Sequence, residues 1–255
     1  MKYKVKNLIE RYVGIISKWD GVECITLNEA ALPDVLDPYF ALILDVFYSS
    51  GIPAPAERAE FYGKEAAIFE STGNKDRFLY GEIPVRIEFK TVQKTENLLA
   101  MAAAADAQYP VSDSGTYGFY RLNEGQILFS RSDWLISLRK KLSALDKGFW
   151  KAMRAAYQSK MEHFLSDLGA ALLQDDDFFY LMSAAGFIKM ACLTLFCINN
   201  CFEPSNRQYY KKVLALTVLP QSFSAQLETF LRSSAETAEH RYAAAQLIAR
   251  GIIAL

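Results

Sequence analysis

The chain is poor in the residues that most enzymes use for acid–base and metal chemistry. It has only two histidines and four cysteines among 255 residues. His163 and His240 stand far from any GxSxG sequence, which argues against a hydrolase triad. Cys24, Cys192, Cys197 and Cys201 form no CxxC pair, so neither a zinc ribbon nor a disulfide framework is indicated. Neither GxxxxGK[ST] nor GxGxxG occurs, which removes the P-loop and dinucleotide-binding folds. Neither sign of charge dominates: 28 Lys and Arg against 29 Asp and Glu leave a net charge of −1, so no overall field favours a nucleic-acid backbone. The apolar run from Ala184 to Ile198 is interrupted by Lys189 and falls short of the roughly 20 residues that span a bilayer. No signal-like apolar core follows Met1–Lys6. These features imply a reduced, cytoplasmic protein with no membrane span.

What is present is ordinary globular composition, 51% hydrophobic and 22% charged, enough for one large domain or two modest ones. The texture changes along the chain. Nine of the thirteen glycines precede Leu135, whereas from about Asp146 onward Ala, Leu, Gln, Lys and Glu recur at helical spacing. This shift predicts an α/β domain over 1–143 and an α-helical domain over 144–255. In the first part, Tyr3–Lys18 has a helical stripe, Val22–Leu27 and Tyr39–Tyr48 read as strands, and Ala56–Tyr62 as a helix. Ile83–Thr91 reads as a further strand and Thr95–Gln108 as an Ala-rich helix. Tyr117–Leu122 and Gln126–Phe129 read as a hairpin through Asn123-Glu124-Gly125. Helices are expected near Leu135–Leu142, Lys147–Leu173, Phe178–Asn199, Gln208–Leu216, Ser222–Arg232 and Ala235–Ala254. The spacing of Cys197 and Cys201 puts both on one helix face, as core residues.

Asp45 is the most informative residue. It lies in Ala41-Leu42-Ile43-Leu44-Asp45-Val46-Phe47-Tyr48, a run apolar on both faces, as in a central strand. A carboxylate there loses solvation worth several kcal/mol unless it is paired, protonated or facing an opening. Two readings follow: Asp45 caps a turn or pairs with an internal arginine, or it opens into a cleft and holds a cation or a substrate group. Glu88 alternates with Arg86 and Lys90 among Val85, Ile87 and Phe89, either as the wet face of a half-exposed strand or as a second acid beside Asp45. Two such carboxylates suit Mg²⁺, a hard ion that completes its shell with water and phosphate oxygens.

The order helix, Val22–Leu27, loop, Leu44-Asp45-Val46, then Val85-Arg86-Ile87-Glu88 resembles the nucleotidyltransferase fold of the DNA polymerase β type. Ile198-Asn199-Asn200-Cys201-Phe202-Glu203-Pro204, Tyr210-Lys211-Lys212-Val213-Leu214 and Leu219-Pro220 are similar to the helical domain of bacterial nucleotidyltransferase-like proteins, as is Gly125–Phe129 before Asp133-Trp134-Leu135. The resemblance implies an α+β chain, with a mixed sheet and flanking helices followed by a helical bundle. It implies a nucleoside triphosphate and a small acceptor as substrates, with Asp45 and Glu88 catalytic. Asp45, Glu88 and the loop residue Asp37 would hold Mg²⁺, and Asn28 and Lys212 would contact the nucleotide. In active members a glycine turn approaches the triphosphate, and an Asp-x-Asp pair with a third acid binds two metals. Here the turn reads Leu27-Asn28-Glu29-Ala30-Ala31, without glycine, and Ile43 stands where the first Asp belongs. Glu29 adds negative charge beside the expected triphosphate. Two functions follow from these departures: Mg²⁺-dependent nucleotidyl transfer, weakened or lost, or an inactive scaffold that binds a ligand or a protein partner.

Overall fold

A computed structural model of the protein describes residues 3–28, 42–104, 115–232 and 235–255. The chain divides into two compact units. One comprises residues 1–101 and 121–144, the other residues 102–120 and 145–255.

The first unit opens with α1 (Tyr3–Ile16), whose Val5, Leu8, Ile9, Tyr12 and Ile16 recur every three or four residues and are buried. Strands β1 (Val22–Asn28) and β2 (Leu42–Tyr48) follow, then α2 (Pro55–Tyr62), β3 (Ala66–Thr72), β4 (Lys75–Tyr80) and β5 (Ile83–Thr91). Helices α3 (Val92–Ala103) and α4 (Tyr117–Glu124) each cross the division between the units, and strand β6 (Gln126–Ser130) and helix α5 (Trp134–Ser143) complete the first. The strands form one mixed sheet in the order β3-β4-β5-β2-β1-β6. Among the described residues only the β2–β5 pair is parallel. Central placement explains the continuous apolar run of β2, which needs cover on both faces.

Strand alternation divides the sheet into two surfaces. Ile25, Leu27, Leu42, Leu44, Val46, Val85, Ile87 and Phe89 pack with the buried stripe of α1 into one core. The opposite surface carries Thr26, Asp45 and Glu88, which the register sets side by side across three strands.

The β3–β4 hairpin, turning at Gly73-Asn74, has no counterpart among the strands expected from sequence. It is tied to α2 by a fully buried ion pair. Arg58 donates through Nε to Asp76 Oδ2 at 2.8 Å and through Nη2 to Oδ1 at 3.0 Å. Its Nη1 and Nη2 also reach the carbonyls of Pro53 and Thr72. The hydroxyls of Tyr62 and Ser71 donate to the same carboxylate, so every face of Asp76 is hydrogen-bonded.

The expected hairpin over 117–129 is corrected. Tyr117–Glu124 is helix α4, and only Gln126–Ser130 is a strand, lying at the sheet edge against β1. Phe119 and Leu122 are buried three residues apart, a helical rather than an alternating spacing. Gly125 makes the junction feasible: a Cβ there would lie 2.7 Å from the Arg121 carbonyl and 2.8 Å from Asn28 Oδ1.

The second unit contains α6 (Lys147–Gln174), α7 (Asp177–Ile198), α8 (Tyr209–Leu214), α9 (Phe223–Leu231) and α10 (Ala238–Ile253), with a 3₁₀ turn at Asn206–Gln208. Asp146 and Asp176 cap α6 and α7 by accepting from the amides of Phe149 and Phe179. Gly186 brings α7 against α6, since a Cβ at this position would sit 2.4 Å from the Phe164 ring. The core includes Met161, Leu168, Phe187, Leu195, Phe223, Phe230 and Ile248. Helix α7 is longer than its apolar run suggested and, by length and composition alone, could cross a membrane, although 56% of its most apolar window is buried within the protein. The helix stops at Ile198, so Cys197 is buried in it while Cys201 lies beyond its end, exposed. The expected shared helix face for these two cysteines is therefore not formed.

Candidate functional site

The polar surface of the sheet converges on Asp45. Its side chain is fully buried, and both carboxylate oxygens are engaged. Oδ1 lies 2.5 Å from Arg121 Nη2 and 3.0 Å from Lys90 Nζ. Oδ2 accepts from Asn28 Nδ2 at 2.9 Å, and the same amide donates to Thr26 Oγ1 at 3.2 Å.

Glu88 is the register partner of Asp45 on β5, and the same two cations bridge the pair. Its Oε2 lies 3.0 Å from Arg121 Nη1 and 3.3 Å from Lys90 Nζ, while Oε1 accepts from Arg86. Burial alone would raise the Glu88 carboxyl; the charges of Arg121, Lys90 and Arg86 outweigh it and pull the pKa down to about 2. Among the described residues, Arg121, Lys90 and Arg86 face these two carboxylates. Arg121 and Glu88 are 5% and 14% exposed, so these pairs are poorly screened by solvent.

Of the residues expected to act together, Asp45, Glu88 and Asn28 do meet. Asn28 spends its amide on Asp45, holding the acid in place. Lys212 belongs to the helical unit, where its ammonium lies 5.9 Å from the centre of the Tyr120 ring. Asp37 and the turn residues Glu29, Ala30 and Ala31 lie outside the described residues. Ile43 sits on the same sheet surface, opposite Arg86 in register, and contributes no ligand atom.

Sequence reading missed Arg121, the residue that completes the site. A strand over Tyr117–Leu122 is what the local sequence predicts, whereas the segment is helix α4. An isolated acid in an apolar strand was itself the signal that a cation had to arrive from another element.

Among the described residues, Asp45 and Glu88 are matched to internal cations rather than to Mg²⁺. A divalent ion needs carboxylate oxygens with free lone pairs and room for its waters. Asp45 is sealed from solvent, and the opposing charges are already supplied by Arg121, Lys90 and Arg86. Among the described residues no three His, Cys, Asp or Glu side chains gather.

No protein-family model and no curated protein matches the chain. It is similar in structure to a nucleotidyltransferase-like protein from Exiguobacterium sibiricum, at 14% identity and a TM-score of 0.49 over 98% of this chain and 74% of that one. It is also similar to an aminoglycoside 6-adenyltransferase from Bacillus subtilis, at 9% identity and a TM-score of 0.31 over 96% of this chain and 88% of that one.

Proposed function

We propose that the chain is a nucleotidyltransferase-like scaffold that has lost Mg²⁺-dependent nucleotidyl transfer and acts by binding a ligand or a protein partner. The observation that carries this reading is the closed network of Asp45 and Glu88 with Arg121 and Lys90.

Nucleotidyl transfer through paired acids requires their charge to be available to metal ions, which activate the attacking hydroxyl and stabilise the departing pyrophosphate. Here a guanidinium spans the two acids with one nitrogen on each. Unit charges 4 Å apart interact by about 4 kcal/mol at an effective dielectric of 20. A doubly charged ion beside Lys90 and Arg121 would therefore meet repulsion comparable to its attraction for Asp45 and Glu88. Ile43 supplies no third ligand, and the turn at Leu27-Asn28-Glu29 has no glycine for close phosphate approach.

Incubation of the full chain with Mg²⁺ and each of the four nucleoside triphosphates, with pyrophosphate release as readout, tests the reading. The expected result is release no faster than in buffer. Metal-dependent release abolished by Asp45→Asn would overturn it and return the chain to active transfer onto a small acceptor.

A further inference from the structure

We propose that the protein pairs with a second copy of itself through the outward face of α7, the two helices lying antiparallel about a two-fold axis between Leu181 and Met182. The feature that points there is a helix apolar on both sides. Tyr180, Ser183, Ala184 and Phe187 are buried, and from Ala191 to Cys197 every residue is buried. Yet Phe178, Leu181 and Met182 are 74%, 63% and 57% exposed, and Ala185 is exposed with them. A helix apolar around its whole circumference is normally enclosed. The first half of α7 is not.

The spacing of this stripe favours a second copy as its cover. Residues three, four and seven positions after Phe178 share one helical face. Positions 178, 181, 182 and 185 are also symmetric about their midpoint. A second α7 laid antiparallel therefore sets Phe178 over the second copy's Ala185 and Leu181 over its Met182. Large then meets small, as interdigitating helix seams require.

The charges at the two ends fit the same arrangement. Lys189 continues the stripe seven residues beyond Met182 and is the one charged residue of α7 after Asp177. Asp175, Asp176 and Asp177 stand at the other end. Among the described residues, neither Lys189 nor any of these three acids makes an ion pair within 4.0 Å. The midpoint that pairs Leu181 with Met182 sets each Lys189 opposite the second copy's turn at Gln174-Asp175. A parallel pair would instead set acid against acid and lysine against lysine.

The area available sets the strength. With Leu173, which is 90% exposed near the end of α6, these side chains leave on the order of 500 Å² bare on each copy, about 1,000 Å² for a pair. That is the lower limit for a specific interface, so the dimer should be weak, with Kd in the micromolar range.

Sedimentation velocity of the full chain from about 1 to 300 µM tests the pairing, and a passage from monomer to dimer is expected across that range. Leu181→Glu should weaken it about tenfold or more. The same variant should leave Tm unchanged at the lowest concentration, where the side chain is already in water, which separates lost pairing from lost folding. Lys189→Glu and Asp175→Lys should each weaken the dimer. An equal mixture of the two should restore it, because only the mixed pair sets opposite charges at both ends. A monomer throughout, a dimer indifferent to Leu181→Glu, or a mixture no tighter than either variant alone would overturn the proposal. So would flotation of the chain with phospholipid vesicles that Leu181→Glu abolishes, which would assign the stripe to a membrane. No residue of the sheet unit enters this test, so it stands apart from the one on nucleotidyl transfer.

Discussion

Replacing Arg121 with methionine is the sharpest perturbation of the sheet unit. The guanidinium is 5% exposed and places one nitrogen 2.5 Å from Asp45 and another 3.0 Å from Glu88. Removing one partner of a buried ion pair costs about 3–5 kcal/mol, because the remaining charge keeps its desolvation penalty. Lys90 still touches both acids and Asn28 still donates to Asp45, which sets the expectation near about 3 kcal/mol. At roughly 3–4 °C per kcal/mol for a unit of this size, Tm should fall on the order of 10 °C. Urea titration followed by tryptophan fluorescence reads the loss, since Trp19 and Trp134 both lie in this unit. The decisive comparison repeats Arg121→Met in an Asp45→Asn, Glu88→Gln background. With the acids neutral, the same substitution should cost less than about 1 kcal/mol, the remainder being the coupling between arginine and carboxylates. Equal losses in the two backgrounds would mean that contacts other than Asp45 and Glu88 hold Arg121, and that the acids are not neutralised by it.

Three further outcomes follow. The Glu88 carboxyl is held near 2 against an ordinary 4.5, so its contribution is complete above about pH 4.5 and disappears as pH falls toward 2; Glu88→Gln should flatten the acid limb of a stability–pH curve by about 3 kcal/mol. Arg58→Met strands the buried Asp76 carboxylate and should cost about 3–5 kcal/mol in urea titration, with partial recovery when Asp76→Leu is added. Gly186→Ala drives a methyl into the Phe164 ring, and a thermal melt should show a net loss of about 1–2 kcal/mol despite the better helix propensity of alanine.

Much of the architecture was legible from local periodicity. The stripe on α1, the apolar run of β2 and the alternation of Arg86, Glu88 and Lys90 each report which faces are covered, because burial imposes a spacing of 3.6 or 2 on the apolar residues. The long helices of the second unit were legible for the same reason. The β3–β4 hairpin was not. Most of its residues are half-buried or exposed, Phe69 and Ile68 among the exposed, so no clean alternation marks β3. In the 117–124 segment, short length and four aromatic or aliphatic residues fit either period.

The sequence by itself determined that Asp45 needed compensation, since an acid embedded between leucine, isoleucine and valine has no other way to remain charged. Which compensation it receives was a tertiary decision. Arg121 lies 76 residues away and reaches the sheet only because α4 is a helix whose following glycine admits close contact with β1. Opposite charge separated by that much chain leaves no local pattern. The same acids would read alike whether a metal ion or a guanidinium stood between them, and only the folded arrangement distinguishes the two.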